Sequence, residues 1–363
     1  MLIETETEFG ALQRTWNELA ARAEHPSIFL RHEWFSAAWA WRKADAQLHI
    51  LTATDGPDVI GIMPLVRSVG PDGLRVLRPL AVPDTQRWDV VAAAADAPRA
   101  AAMIASTLCA SPDWDVMELN CLDAGGGILN WLLPSLAGRV ARVRSVEIER
   151  NAYVSMPEGW STYYRSRSRS VKKANNLAAN RLTRAGAVRV ACLKAPETSE
   201  AEFAEALDDA IRVSARSWKG DTNISLEKTG PQAFIRALSA GCYSQRAVSL
   251  WMLYLDDVPL AMEYQVLCDG DVYGLRSDFD ASCTRLSPGT HLLHMLIERL
   301  SESDFRRYYL GRGENAYKSR WANAAEPVYR LIAYNTTLRG AFKAARDSLV
   351  QPVRSLRDRL VSG

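Results

Sequence analysis

A Ser-Pro-Gly tripeptide that runs into an apolar stretch, LSPGTHLLHMLI, has the composition of a phosphate-binding turn. A helix beginning there would leave the backbone N–H groups of Gly289, Thr290 and His291 without intrahelical partners. Such N–H groups and the positive end of the helix dipole together bind phosphate. An ordinary helix start is the alternative, because Ser287 can cap a helix and Pro288 suits its first turn.

A basic segment over residues 165–184 could bind an anionic group of a substrate. It carries seven cationic side chains and no carboxylate, and an acidic segment follows it. In a single helix, Arg165, Arg169 and Lys172 would share one face and could grip a diphosphate. A solvated helix face is the alternative explanation of such a charge run.

An aromatic residue, Trp218 in the segment RSWKG, precedes a polar loop over residues 221–231. Its indole could stack on a sugar ring of an acceptor, or it could pack in the core. The sequence therefore makes Trp218 a candidate substrate-binding residue with a structural alternative.

The composition is that of an ordinary soluble globular protein. The 363 residues are 48% hydrophobic and 24% charged, with a formal net charge of +2, which suits roughly two domains of ~150 residues each. The acidic N-terminus lacks the features of a signal peptide, so we expect a cytoplasmic protein. The six cysteines show no C-x-x-C spacing and the five histidines no H-E-x-x-H motif, so we expect no metal.

The elements that must position these residues occur in the same order in each half. Three predicted strands over residues 48–82 precede a helix at 97–109, then a strand, a helix and a strand within 140–155. Three strands over 247–280 precede the helix after Ser-Pro-Gly, and the same strand, helix, strand order ends at 335. The sequence predicts an α/β (α+β) fold, with mostly antiparallel sheets flanked by helices.

A family resemblance rests on five segments: FLRHEWFSAAWAW, IGIMPLV, NNLAANRLTRAG, DFDASCTRLSPGTHL and YYLGRGENAYKSRWA. They resemble the acyltransferases grouped with the cellulose-biosynthesis protein CelD/BcsL, a family of the GNAT superfamily related to the FemAB peptidyltransferases. The resemblance covers residues 29–335 and implies two tandem GNAT-like domains. We expect a first domain at 1–156 without a cofactor, a second at 157–336 with the acyl-CoA site, and a tail at 337–363.

The resemblance implies direct transfer from acetyl-CoA or another acyl-CoA to an amine or hydroxyl, commonly on a sugar of an exopolysaccharide or envelope precursor. The family's pyrophosphate loop corresponds to Ser287, Pro288 and Gly289, and we extend the predicted donor site to Thr290 and His291. Typical GNAT loops are rich in glycine, whereas this loop has one, which leaves the identity of the donor open.

Direct acyl transfer needs a base for the acceptor, a partner for the developing oxyanion and an acid for the leaving thiolate. Lys318 is the candidate partner, since the FemAB relatives place a lysine near the reacting carbonyl. Asp278 is the candidate base and Tyr317 the candidate acid, while Glu314 is expected to contact the acceptor. The alternative candidates for the general base are Glu263, Asp280 and Glu314.

The C-terminal tail is predicted to be a basic amphipathic helix. Its six cations stand against Asp347 and Asp358, and leucine and phenylalanine recur along it. Such a helix contacts anionic lipid, binds a partner or packs on its own domain.

Three functions remain open at this point. The first is an acyl-CoA-dependent N- or O-acyltransferase that acts on a sugar nucleotide or lipid-linked sugar near the inner membrane face. The second is a FemAB-like transferase that uses aminoacyl-tRNA, and the third is a degenerate GNAT that senses a cyclic dinucleotide.

Overall fold

The computed structural model describes the backbone of residues 1–313 and 316–361 and the side chains of residues 1–313 and 317–349. The strands are β1 (Leu2–Ile3), β2 (Gln47–Asp55), β3 (Asp58–Val69), β4 (Arg75–Pro79), β5 (Val91–Ala92), β6 (Val116–Asp123), β7 (Arg142–Val154), β8 (Val188–Leu193), β9 (Val248–Leu255), β10 (Val258–Cys268), β11 (Asp271–Phe279), β12 (Arg307–Tyr309) and β13 (Ala324–Tyr334). The helices are α1 (Glu6–Ala11), α2 (Gln13–Ala21), α3 (His32–Arg42), α4 (Ala97–Ala110), α5 (Leu133–Leu136), α6 (Gly159–Ser166), α7 (Arg169–Ala185), α8 (Glu200–Ala215), α9 (Thr229–Cys242), α10 (Pro288–Leu300), α11 (Ala316–Trp321) and α12 (Leu338–Val361).

The strands of the described residues form one continuous sheet. Its order is β1-β2-β3-β4-β6-β13-β7-β12-β11-β10-β9-β8, with β5 paired to β3. The pairs β4–β6 and β11–β12 are parallel, and the other neighbours are antiparallel. The predicted fold class, a mixed and mostly antiparallel sheet flanked by helices, is confirmed.

The two halves exchange their last strands. Strand β13, from the second half, lies between β6 and β7, while β7, from the first half, also pairs with β12. The exchange joins the halves through main-chain hydrogen bonds. The predicted boundary near residue 157 stays a prediction, because each half completes the other's sheet.

Local sequence explains the second meander. Strand β9 is buried almost throughout, as its apolar run requires. The β9–β10 hairpin turns at Asp256 and Asp257, which both adopt positive φ, and β10–β11 turns at Asp269 and Gly270 in the same way. Two-residue turns of this kind match the twist of antiparallel strands.

The basic segment is broken, which corrects the prediction of one continuous helix. Helix α6 ends at Ser166, Arg167 is extended, and Ser168 caps α7 by accepting the Val171 N–H. Arg165 therefore belongs to a different helix from Arg169 and Lys172, and the three do not share one helical face. A serine with helix-capping ability inside the run is the physical reason.

Within the described part of the chain, no helix is both long and apolar enough to cross a membrane.

Candidate functional site

A cleft of about 560 Å³ opens where β11 extends past the end of its parallel neighbour β12. The two strands pair only from Asp271 to Tyr273 on β11, so the sheet separates beyond that point. The later part of β11, the turn at residues 310–312 and helices α7, α10 and α11 line it, together with side chains from β10, from the segment after α8 and from the loop after β4. The predicted cleft beside α10 is thus present.

The N-terminus of α10 contributes Gly289 and Thr290 to the cleft lining. The helix begins at Pro288, as predicted, but Ser287 adopts a left-handed conformation (φ 58°) and its side chain caps no N–H. The carbonyl of Ser287 instead accepts hydrogen bonds from the N–H groups of Thr290, at 3.1 Å, and His291, at 3.3 Å. The prediction that all three N–H groups are unpaired is therefore wrong for Thr290 and His291.

A diphosphate at this helix start needs a close approach to the backbone, and Gly289 permits it. A Cβ added there would stand 3.1 Å from the ring of Phe279, another residue of the cleft lining. The helix dipole adds a favourable field for an anion at this end. The residues present thus fit the pyrophosphate of an acyl-CoA, with one free N–H rather than the three predicted.

An anionic substitution at this point should block a diphosphate. We expect Gly289→Asp to abolish binding of coenzyme A, because its carboxylate would lie where the phosphates approach. Gly289→Ser adds a Cβ against Phe279 without the charge and is the matched control. Calorimetric titration distinguishes the two, and an equal loss of affinity in both variants would show steric rather than electrostatic exclusion.

Lys318 lies on α11 at the base of the cleft and is 5% exposed. Its Nζ donates to the carbonyls of Gly311, at 2.9 Å, Arg312, and Gly313, at 3.1 Å. Burial lowers the pKa of Lys318 to about 8, so the group is mostly protonated at neutral pH. The ammonium therefore fixes the turn and puts a buried positive charge beside the cleft.

Glu263 is a carboxylate of the cleft lining that sequence reasoning did not prefer as the base. It lies within β10, not at a strand end, and is 3% exposed. Its Oε1 accepts from the Tyr308 hydroxyl and from Gln265 Nε2, at 2.9 Å. Burial raises the pKa of Glu263 to about 6, close to the range required of a general base. One signal could have singled it out, a lone acid in the otherwise apolar segment VPLAMEYQVL.

Asp278, the predicted base, is held away from the cleft surface. One of its oxygens lies 2.7 Å from the Lys219 ammonium, and the other accepts from Ser214 Oγ at 2.9 Å. Ser214 lies at the end of α8 and Lys219 in the segment that follows, so the two contacts hold this region against β11. The geometry favours a structural role for Asp278 and leaves Glu263 as the better-placed base.

Of the three other predicted site residues Tyr317, Trp218 and Glu314, the first two lie in the cleft. Trp218 is 68% exposed, so the alternative that it packs in the core is wrong. Burial raises the pKa of Tyr317, which therefore keeps its proton at neutral pH. Glu314 lies outside the described residues.

The predicted basic contacts lie off the cleft. Helix α7 faces the cleft with Val171, Ala174 and Asn175 instead. Arg165 and Arg169 are exposed, and the Lys172 ammonium donates to the Arg165 carbonyl at 2.8 Å.

The first half contributes a buried ion pair to the cleft wall. Asp84, on the loop after β4, lies 2.5 Å from Arg276 of β11, and each side chain is 4% exposed. Arg276 also donates to the carbonyl of Ile224 at 2.7 Å. Burial raises the pKa of Asp84 although Arg276 opposes the change. The pair ties both halves and the segment after α8 to one wall.

Removing one partner of the Asp84–Arg276 pair should destabilise the fold. We expect Asp84→Asn to lower the free energy of unfolding by about 3–5 kcal/mol, because it leaves the Arg276 charge buried. The exposed pair Asp55–Arg99 has the same 2.5 Å separation, with side chains 62% and 52% exposed. Asp55→Asn should therefore cost less than about 1 kcal/mol in the same chemical denaturation experiment. Similar losses in both variants would contradict this assignment.

The matching place in the first half is nearly filled. The cavity beside the start of α4 measures about 50 Å³, and Asp89 borders it. The Asp89 carboxylate accepts from the backbone N–H groups of Gly127, at 2.6 Å, and Ile128, at 2.9 Å. The Asp89 carboxylate thus binds the N–H groups at the start of the helical segment that begins at Ile128, and the cavity beside it is far smaller than the cleft of the second half.

One family model matches part of the second half of the chain. Residues 169–319 match the family model of the acetyltransferase (GNAT) domain, a stretch that contains Glu263, Gly289 and Lys318. A search of curated proteins found no match to the chain.

Three solved structures share the fold over nearly the whole chain. A C-terminal domain (DUF2156) from Agrobacterium fabrum, named for lysylphosphatidylglycerol synthetase, has a TM-score of 0.57 and 14% identity, covering 94% of this chain and 96% of that one. FemX has a TM-score of 0.55 and 9% identity, covering 89% and 96%. L-PGS from Bacillus licheniformis has a TM-score of 0.55 and 11% identity, covering 92% and 93%. The chain has the fold of these proteins, and its residues 169–319 match a GNAT acetyltransferase domain.

Proposed function

We propose that the chain is an acyl-CoA-dependent N- or O-acyltransferase, with acetyl-CoA the favoured donor. Its proposed acceptor is a sugar of an exopolysaccharide or envelope precursor, presented in the cytoplasm as a sugar nucleotide or lipid-linked sugar. The observation that carries the proposal is that Gly289, Glu263 and Lys318 line one cleft. These residues supply an anion-binding helix start, a base and a buried cation.

The donor end of the cleft is assigned to α10 and α11. The pyrophosphate would approach Gly289 at the start of α10, where the helix dipole is favourable. Arg320 lines the cleft, is exposed, and forms no ion pair with any described residue. By contrast, Lys219, Arg276 and Arg312 of the lining are each paired with a carboxylate. Arg320 is therefore the lining arginine that remains available for a donor phosphate.

The reacting end is assigned to Glu263 and Lys318. Acyl-CoA supplies an activated thioester carbonyl, which an amine or hydroxyl can attack once deprotonated. Glu263, with its pKa raised to about 6, is ionised at neutral pH and can take that proton. The Lys318 charge stabilises negative charge on the carbonyl oxygen, which has few competing water molecules in a partly buried site. Tyr317 keeps its proton and can donate a hydrogen bond to the leaving thiolate.

The acceptor end is assigned to the segment after α8. Trp218 presents an exposed indole to the cleft, and aromatic rings of this kind stack on the apolar face of sugars. This placement supports the proposal of a sugar acceptor.

Aminoacyl transfer is the second candidate, and the fold relationship favours it. FemX and two proteins named for lysylphosphatidylglycerol synthesis share the fold, and a FemAB-like transferase would draw on aminoacyl-tRNA. The exposed cations Arg165 of α6 and Arg169 and Lys173 of α7 could contact RNA phosphates.

A thermal-shift panel separates the candidates. Stabilisation by acetyl-CoA supports the acyl-CoA-dependent enzyme, whereas stabilisation by charged tRNA alone supports aminoacyl transfer. Stabilisation by a cyclic dinucleotide alone would favour the sensing function. Mass spectrometry of the cell's polysaccharide with and without the protein then identifies the acylated sugar.

A further inference from the structure

Helix α12 presents an apolar face that no described residue covers. Leu338, Phe342 and Leu349 are 91%, 72% and 76% exposed. With Ala345, also exposed, they follow an i, i+4, i+7, i+11 spacing, which places them along one side of the helix. We call these four residues the outer stripe.

The opposite side of α12 is fixed to the sheet, so the outer stripe faces away from the protein. Ala344 packs in a small core cluster with Tyr334 of β13. The Tyr334 hydroxyl donates to Asp347 at 2.8 Å, and Gly340 lies directly against the backbone at Asn335. The stripe is therefore not the face that anchors the helix to its own domain.

Cations border the outer stripe. Arg339 and Arg346 flank it on α12 and are exposed, and Arg330 of β13, the strand on which α12 packs, is also exposed. Asp347 is paired with Lys343 at 2.8 Å, so that acid is already neutralised. The sequence continues with Arg354, Arg357, Asp358 and Arg359. Among the described residues, the side chains named here beside the stripe are therefore mostly cationic.

We propose that the outer stripe of α12 binds the surface of an anionic lipid bilayer. Exposed leucine and phenylalanine side chains on one helical side enter the boundary between headgroups and acyl chains, and flanking arginines pair with lipid phosphates. Charge complementarity favours this occupant over a second copy of the chain, because two such stripes would bring like-charged arginines together. The surface lies apart from the cleft and is independent of the reaction assigned there.

Vesicle co-sedimentation of the full chain tests this assignment. We expect binding to vesicles of equal parts phosphatidylglycerol and phosphatidylcholine, at least about tenfold weaker binding to phosphatidylcholine alone, and weaker binding as salt rises. Phe342→Ser combined with Leu349→Ser should lower the affinity about tenfold or more, and Arg346→Glu should lower it about tenfold. Circular dichroism and the melting temperature confirm that these exposed substitutions preserve the fold.

The matched control is Leu177→Ser on α7, where a 43% exposed leucine also lies on a basic helix. This variant should keep wild-type vesicle binding. Unchanged binding of the Phe342/Leu349 variant, or an equal loss in Leu177→Ser, would overturn the proposal. So would a concentration-dependent dimer that the Phe342/Leu349 variant abolishes while wild-type protein ignores the vesicles, since the occupant would then be a second copy.

Discussion

Replacing Lys318 with methionine is expected to lower turnover about a hundredfold while leaving the affinity for acetyl-CoA nearly unchanged. Methionine keeps most of the side-chain volume but removes the charge that stands beside the reacting carbonyl. The donor is bound chiefly at α10, so its dissociation constant should change little. Thiol release from acetyl-CoA, with an envelope-precursor extract as the source of acceptor, measures turnover, and calorimetry measures affinity.

The loop that Lys318 holds requires a separate control. Its ammonium donates to three carbonyls of residues 311–313, so its loss also loosens that turn. The melting temperature of Lys318→Met reports this effect, and Lys173→Met on the exposed side of α7 controls for loss of a cation elsewhere. If the dissociation constant for acetyl-CoA rises as much as turnover falls, Lys318 serves binding and its assigned catalytic role is wrong.

Replacing Glu263 with glutamine is expected to lower kcat/KM by about 10²–10⁴-fold, the usual contribution of a general base. The side chain acts when ionised, and its pKa is raised to about 6, so the wild-type rate should rise with pH through that value. Lys318 acts when protonated, with its pKa lowered to about 8, so the rate should fall again above that value. The pH profile is therefore bell-shaped, and Glu263→Gln should remove its acidic limb.

Asp278→Asn is the comparison that tests the choice of base. Asp278 is paired with Lys219 and Ser214, so this variant should lose stability but keep the acidic limb near pH 6. An acidic limb that persists in Glu263→Gln and disappears in Asp278→Asn would return the role to Asp278.

The same carboxylate has a consequence for stability. A folded-state pKa above the usual value means that ionising Glu263 costs folding free energy. This cost is absent below the ordinary glutamate pKa and grows as the pH rises toward about 6. Keeping an ionised base in a buried cleft therefore lowers the free energy of unfolding at neutral pH.

Local patterns predicted the elements well because they depend on neighbouring residues. The alternation and turn residues of 247–280 predicted the second meander, and the apolar spacing after Gly289 predicted the buried side of α10. The exchange of β7 and β13 could not be predicted, because strand order depends on contacts between residues far apart in sequence. The break at Arg167 was missed because a basic run also suits a continuous helix.

The candidate site was predicted where a residue's role follows from its own segment. Gly289 and Lys318, which their own segments single out, both line the cleft, and their roles there stay predictions. The environment of Glu263 depends partly on Tyr308, which donates a hydrogen bond to it from β12, and no local pattern predicts a contact between residues 45 positions apart. The ion pair between Asp84 and Arg276 could not be predicted, because the two residues are 192 positions apart and no local pattern indicates such a contact.

Calorimetric titration of the wild-type protein with acetyl-CoA tests the central claim most directly. We expect saturable binding to one site per chain, with competition by free coenzyme A and a matching rise in melting temperature. Absence of both heat and thermal stabilisation up to millimolar acetyl-CoA would contradict it.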